Sequence, residues 1–225
     1  MRLFLFICAF ALSSFSFSQE IDQDLKNRLK HVLLRDQGFR ELWGGPISNE
    51  RKQVLLKELS LTEKDFLDNE RSLFQKNDSL NLVEIEKIIN HYGYPGKSMV
   101  GEPENETAWF VIQHSSKIEK YFPLIKRAGE EGELKMSKVA MMEDRMLMYK
   151  GETQIYGTQA KGIFKVKNPS KQEDIFYIIW PVRNPEKVNE LRKTMGLQST
   201  IEEYAQNLGI EYRVYTIEEV EKLLK

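Results

Sequence analysis

Cysteine is nearly absent: the 225 residues hold one, Cys8, inside the apolar run that opens the chain. A disulfide framework is therefore excluded, and so is a thiol nucleophile anywhere beyond that opening run. Long hydrophobic runs are missing too. The stretch at residues 3–12 is about half of the roughly 20 apolar residues that a membrane-spanning helix needs. Nor is there an excess of basic charge, since 33 basic residues stand against 34 acidic ones, a net charge of −1. A nucleic-acid binder would carry a basic stripe, so no nucleic acid is expected as a partner. Repeats and low-complexity tracts are absent as well, and stability must come from an ordinary core.

What is present begins with a leader. Met1-Arg2, the apolar run at 3–12 and the small residues Ser16 and Ser18 have the form of a secretory signal peptide cut after Ser18. A lipoprotein reading of Leu5-Phe6-Ile7-Cys8 fits poorly, because Ile7 is bulky where a small residue is required. The expected mature chain starts at Gln19 and is exported, to the periplasm or the medium, with 32 basic residues against 34 acidic. Its organisation reads as one mainly helical domain over 19–200 and a strand-helix appendage over 201–225, with no transmembrane segment.

Hydropathy patterning predicts a mainly α fold with a small antiparallel sheet in the C-terminal half, an α+β chain. Leu25, Leu29, Val32 and Leu33 keep a helical period, and the same face continues through Asp36, Arg40 and Trp43. Gly44-Gly45-Pro46 stops that helix. A short helix follows over 49–60, and Thr62 with Asp65 caps the next, a helix or pair of helices on which Asp78 and Asn81 again continue the apolar stripe. Helices are expected over 107–115 and around Tyr121-Phe122, then one capped by Ser137 that carries Asp144-Arg145 and ends at Gly151. Beyond it, 154–158, 162–166 and 175–180 read as strands of a sheet at about 153–182, 185–207 as helix, 211–215 as a strand and 217–224 as a last helix.

Three chemistries fall away on spacing. Gly93 and Gly96 stand too close together for a phosphate loop, and a helix precedes them where that motif needs a strand. No G-x-S-x-G elbow is present for a serine nucleophile. Asp36, Asp78, Asp144 and His114 could act as hard ligands, yet no zinc-like histidine spacing exists, so no metal and no cofactor is assigned.

The most informative stretch is Asp144-Arg145, five residues, then Gly151-x-x-Gln154-x-Tyr156-Gly157-Thr158-Gln159. It resembles the signature of a bacterial family known only as a domain of unknown function, whose members carry D-R-x5-G-x-x-Q-x-Y-G-T-Q. Further pieces match in order: Asp36-Gln37-x-x-Arg40, Asp78-x-x-Asn81, the 93–101 loop, Gln113-His114, and Arg192-x-x-x-Gly196-Leu197 followed by Tyr204. That family has no established activity. The resemblance implies where a site lies and leaves the reaction open.

Two readings of that site follow. In the first, a small polar or anionic ligand is bound, or bound and hydrolysed. His114 is then the acid-base group, Asp144 or Asp36 its orienter, and Arg145 or Arg40 the anion clamp. Gln37, Asp78, Asn81, Gln113, Gln154, Tyr156 and Gln159 complete the binding set. Neighbouring helix residues point about 100° apart, so Asp144 and Arg145 can serve the core and a cleft respectively. In the second reading the same polar groups are a buried structural network in a non-catalytic envelope or secreted binding module. Whether the protein is an enzyme stays undecided at this level. Export is checked directly: N-terminal sequencing of the mature protein is expected to begin at Gln19, and retention of Met1 or a lipid on Cys8 would contradict it.

Overall fold

The fold, seen in a computed structural model, is described for residues 20–44, 46–164 and 174–224. The expected leader at 1–18 with Cys8, and the end of the expected strand at 162–166, lie outside the described residues. Among the described residues ten α-helices and one two-stranded sheet form, a mainly α, α+β architecture as the patterning predicted.

Helix α1 (Gln23–Trp43) starts where Asp22 accepts from the amide of Leu25 and stops at Gly44. Its apolar face buries Leu25, Leu29 and Val32. Helix α2 (Asn49–Glu58) follows Ser48, and α3 (Glu63–Tyr92) runs unbroken for 30 residues from its Thr62 cap to Gly93. A helical turn, α4 (Lys97–Val100), leads through a 3-10 segment into α5 (Thr107–Gln113), α6 (Ile118–Glu130) and α7 (Met136–Tyr149). The main core joins α1, α3, α5, α6 and α7 through Leu29, Ile85, Trp109, Ile112, Ile125 and Met142, while α2 packs Leu55 and Leu56 into a separate cluster with Phe39, Leu42 and Phe66. Each such aliphatic side chain contributes about 1.5–3 kcal/mol on burial, more than any single cap or surface pair.

Strands β1 (Ala160–Phe164) and β2 (Ile175–Ile179) pair antiparallel, with Gly162 opposite Tyr177. Helices α8 (Val188–Thr194), α9 (Ile201–Asn207) and α10 (Ile217–Leu223) close the chain against the sheet. Val188, Ile201 and Ala205 pack on Ile179 and Val182, and Val220 packs with Ile163, Ile178 and Trp180.

Four local expectations are corrected. Ser137 does not cap α7: Glu133 and Leu134 both donate to Ala128 O, which turns the chain early and starts the helix at Met136. Residues 154–158 are not a strand, for only Gln154 makes a bridge, a parallel one to Val182. The amides beyond it are claimed by a side chain, so no ladder can form. The expected helix over 185–207 is divided into a 3-10 turn, α8 and α9, with Gly196 at φ 71° between the two helices. The segment 211–215 joins no strand among the described residues; Tyr212 and Tyr215 instead cover separate apolar clusters.

Helices α6 and α7 approach closely at Gly129. A Cβ there would stand 2.5 Å from Val139 Cγ2 and 2.8 Å from Met136 Sδ. Met136 can give way, but Val139 is branched and held at χ1. Gly129→Ala gains about 1 kcal/mol in helix propensity, while overpacking costs typically 1–3 kcal/mol. The expected net is a loss of stability in urea denaturation; a gain would show that the helices separate freely.

Candidate functional site

Asp144 is fully buried on α7 and faces the chain that follows Gly151. Its Oδ1 accepts from the amides of Ile155 (2.7 Å) and Tyr156 (3.1 Å). Its Oδ2 accepts from the amide of Thr158 (2.9 Å) and from Thr158 Oγ1 (2.9 Å). Every partner is a donor, so the carboxyl sits here as an acceptor-only carboxylate. Burial pushes its pKa up, and the amides of Thr158, Tyr156 and Ile155 pull it back. The same 155–158 loop is gripped from the opposite chemical side. Arg192 of α8, also buried, donates Nη1 to Tyr156 O (2.9 Å), Nε to Ser199 O (2.7 Å) and Nη2 to Ser199 Oγ (3.0 Å). Tyr204 of α9 donates to Thr158 O (2.8 Å), and the Arg192 guanidinium lies 5.3 Å from its ring centre.

The glutamines of the signature are buried too. Gln154 donates Nε2 to Trp180 O (2.6 Å) and Gln159 O (3.1 Å), while its Oε1 accepts from the amide of Gln159 (2.9 Å). Gln159 reaches back to Met141 O (3.1 Å) on α7. Gly157 has φ 67°, and a Cβ there would stand 2.2 Å from Ile201 Cδ1, so both its backbone conformation and its contact with α9 require glycine.

Arg145, the next residue on α7, makes no hydrogen bond to this loop and is partly exposed. Its Nη1 lies 3.5 Å from Nδ1 of His114, the C-cap residue of α5. Arg145 makes no ion pair with a described carboxylate, and its Nε is buried with no hydrogen-bond partner. His114 therefore finds an arginine where an orienting acid was expected, since Asp144 is engaged by the loop and Asp36 by α1. The pKa of His114 is pushed down to about 3, first because surrounding protein strips water from the ring, then because Arg40 and Arg145 repel an imidazolium. The side chain is exposed to solvent on its outer side, which screens both effects, but their common direction keeps the ring neutral near pH 7.

Arg40, in the last turn of α1, links this pair to the first motif. Asp36 is buried, accepts from Gln37 Nε2 (2.6 Å) and holds Arg40 through Nε and Nη2 (both 3.3 Å). Asp78 on α3 takes Arg40 Nη2 at 2.9 Å. Burial raises the pKa of Asp78, with Arg40 opposing and Asp36 adding to the rise. So Asp36 and Arg40, which continue the apolar face of α1 one turn apart, form an ion pair that also takes in Asp78. Asn81 meets Arg35 instead (3.1 Å), leaving its buried Nδ2 without a protein partner, and Gln113 is buried beside His114 in sequence.

Two neighbourhoods escaped sequence reasoning. Glu143 and the hydroxyl of Tyr156 act on each other electrostatically; burial comes first in raising both pKa values, with the tyrosine reaching about 12. The signal was its position beside Asp144. Trp43 and Phe74 stand edge to face at 4.2 Å, with the Arg40 guanidinium 4.9 Å from the Phe74 ring centre. Together with Gly44 they line an open cleft of about 370 Å³. Trp43 was legible only as the end of an apolar stripe.

A family model for a family of unknown function, DUF6624, matches residues 61–216 of this chain. That is well over half of its length, and the chain belongs to this family. The matched stretch contains His114, the Asp144-to-Gln159 signature, Arg192 and Tyr204, and begins after Asp36 and Arg40. No curated protein and no solved structure matches the chain. No helix among the described residues is long and apolar enough to cross a membrane.

Replacing Asp144 by Asn would turn an NH2 group toward amides that need an acceptor and leave buried Arg192 without its nearest opposing charge. Breaking a buried charge arrangement costs about 3–5 kcal/mol. Asp144→Asn is expected to lower unfolding free energy by that order in urea denaturation; a loss below about 1 kcal/mol, the worth of one ordinary hydrogen bond, would show that the carboxylate does not hold the loop.

Proposed function

We propose that the protein binds a small anionic ligand at the surface formed by Arg145, His114 and Arg40. The observation that carries this reading is Arg145, a guanidinium that has no carboxylate partner and an orphaned Nε among the described residues. A buried N–H without an acceptor costs roughly 1–3 kcal/mol. A rotation of this long side chain would present its Nε and Nη edge to a bidentate anion and satisfy both donors. Arginine has no acceptor, so the His114 Nδ1 facing it must be the lone-pair nitrogen, and the proton sits on Nε2. That N–H is a second donor for the ligand.

Binding is favoured over hydrolysis. A histidine whose pKa is pushed below its ordinary value by burial and by the charges of Arg40 and Arg145 is a poor proton shuttle near neutral pH, because general acid-base catalysis works best with a pKa close to the working pH. Asp144, Gln154 and Gln159 are assigned to holding the loop, since their polar atoms are engaged by the chain itself. Gln37, Asp36 and Asp78 steer Arg40. The structural-network reading thus applies to the aspartate of the D-R pair and the ligand reading to its arginine. Export of a chain beginning at Gln19 belongs to the same proposal and would put the ligand outside the cytoplasm.

Sulfate is a suitable probe, because its charge is constant across the range in which an ordinary histidine titrates. Calorimetry is expected to show sulfate binding that weakens at least tenfold in Arg145→Ala, about 1.4 kcal/mol. His114→Gln should weaken it less and stay folded. The affinity should show no inflection between pH 5 and 8, because His114 stays neutral throughout. Sulfate binding indifferent to Arg145, or none at all, would overturn the reading; an inflection near pH 6.5 would show an ordinary, protonating histidine.

A further inference from the structure

The cleft beside Arg40 has features that an anion clamp alone does not need. Trp43 is 46 % exposed, whereas the other two tryptophans, Trp109 and Trp180, are 1 % and 7 % exposed. An indole left half in water beside a second aromatic ring is a surface suited to covering. Arg40 forms the third wall. Asp36 and Asp78 fix its Nε and Nη2, so the guanidinium plane is held over Phe74, while its Nη1 makes no hydrogen bond among the described residues. Three flat groups, one indole, one phenyl and one guanidinium, border a single open space of about 370 Å³. Flat walls favour a flat occupant, and the arginine disfavours a cationic one.

We propose that this cleft is the second half of the anion site and takes a planar aromatic ring carried by the same ligand. The inference rests on the anion-binding reading above. Arg40 makes the two halves contiguous: it lines the cleft, and α1, which carries it, packs against α5, whose C-cap is His114. The ligand class is then an aromatic or heteroaromatic acid, its acidic group at Arg145 and His114 and its ring against Trp43 and Phe74.

The test compares benzenesulfonate with methanesulfonate on the full chain by calorimetry, two permanent monoanions that differ only in the ring. Benzenesulfonate is expected to bind about tenfold more tightly, the worth of one good aromatic contact, and to change the emission of the exposed Trp43. Trp43→Ala should erase the advantage while leaving methanesulfonate unchanged, and Trp43→Phe should keep most of it. Arg145→Ala should weaken both. Equal affinities in the wild-type protein, or a ring advantage that survives Trp43→Ala, would overturn the cleft inference and leave the anion site standing. Binding of either probe indifferent to Arg145→Ala would overturn the anion reading and with it the joint site. Trp43→Ala gives up the edge-to-face contact with Phe74 and should melt somewhat lower, Trp43→Phe should melt closer to the wild-type protein, and circular dichroism checks that both are folded at the temperature of the binding measurement.

Discussion

The 155–158 loop lies between two buried charges of opposite sign, and its polar backbone is sorted accordingly. Amides of Ile155, Tyr156 and Thr158 point to the Asp144 carboxylate, and carbonyls of Tyr156 and Gly157 point to the Arg192 guanidinium. Neither charge could sit there alone. An isolated ion in a medium of low dielectric is strongly unfavourable, and direct pairing would leave the loop's own donors and acceptors orphaned. With the peptide groups between them, every partner is satisfied at once. This requirement fixes where α7 and α8 stand, why Gly157 must lie against Ile201, and why the chain runs irregularly where its side-chain alternation suggested a strand.

The D-R pair divides its work by helix geometry. Asp144 faces inward, and a step of about 100° around α7 brings Arg145 to the surface beside His114. On the proposed anion-binding reading, rigidity and recognition are set by adjacent residues on one well-packed element. Arg145 projects from a helix locked by its neighbour's contacts to the loop, the arrangement that holds a binding geometry best. Arg40 is steadied in the same manner by two carboxylates, with one of its nitrogens left over.

What could be read from the residues divides along local and tertiary lines. The stripe of Leu25, Leu29 and Val32, the Thr62 cap and the glycine stops at 44, 93 and 151 depend on a few neighbouring residues, and the helices they define are found with small shifts in their ends. The Asp36–Arg40 pair was legible for the same reason. Residues 154–158 misled because a strand's alternation of inward and outward side chains says nothing about what accepts its amides. A carboxylate ten or more positions earlier in sequence took that role. The meeting of His114 with Arg145 spans 31 positions and no periodicity encodes it; only the family resemblance drew attention to both residues. The meeting of Glu143 with Tyr156 and of Trp43 with Phe74 depends on how separate elements pack, so the positions of these residues along the chain gave no sign of their partners.

The sequestered loop also has a consequence for how the molecule comes apart. Its amides are closed off by side chains from α7, its carbonyls by side chains from α8 and α9, so it cannot open while those helices stay in place. An irregular segment of this kind exchanges its amide hydrogens like core rather than like a surface turn, and fraying at either side must pass through it. The helical half and the half containing the sheet are therefore joined into one cooperative unfolding unit by four residues that belong to no regular element.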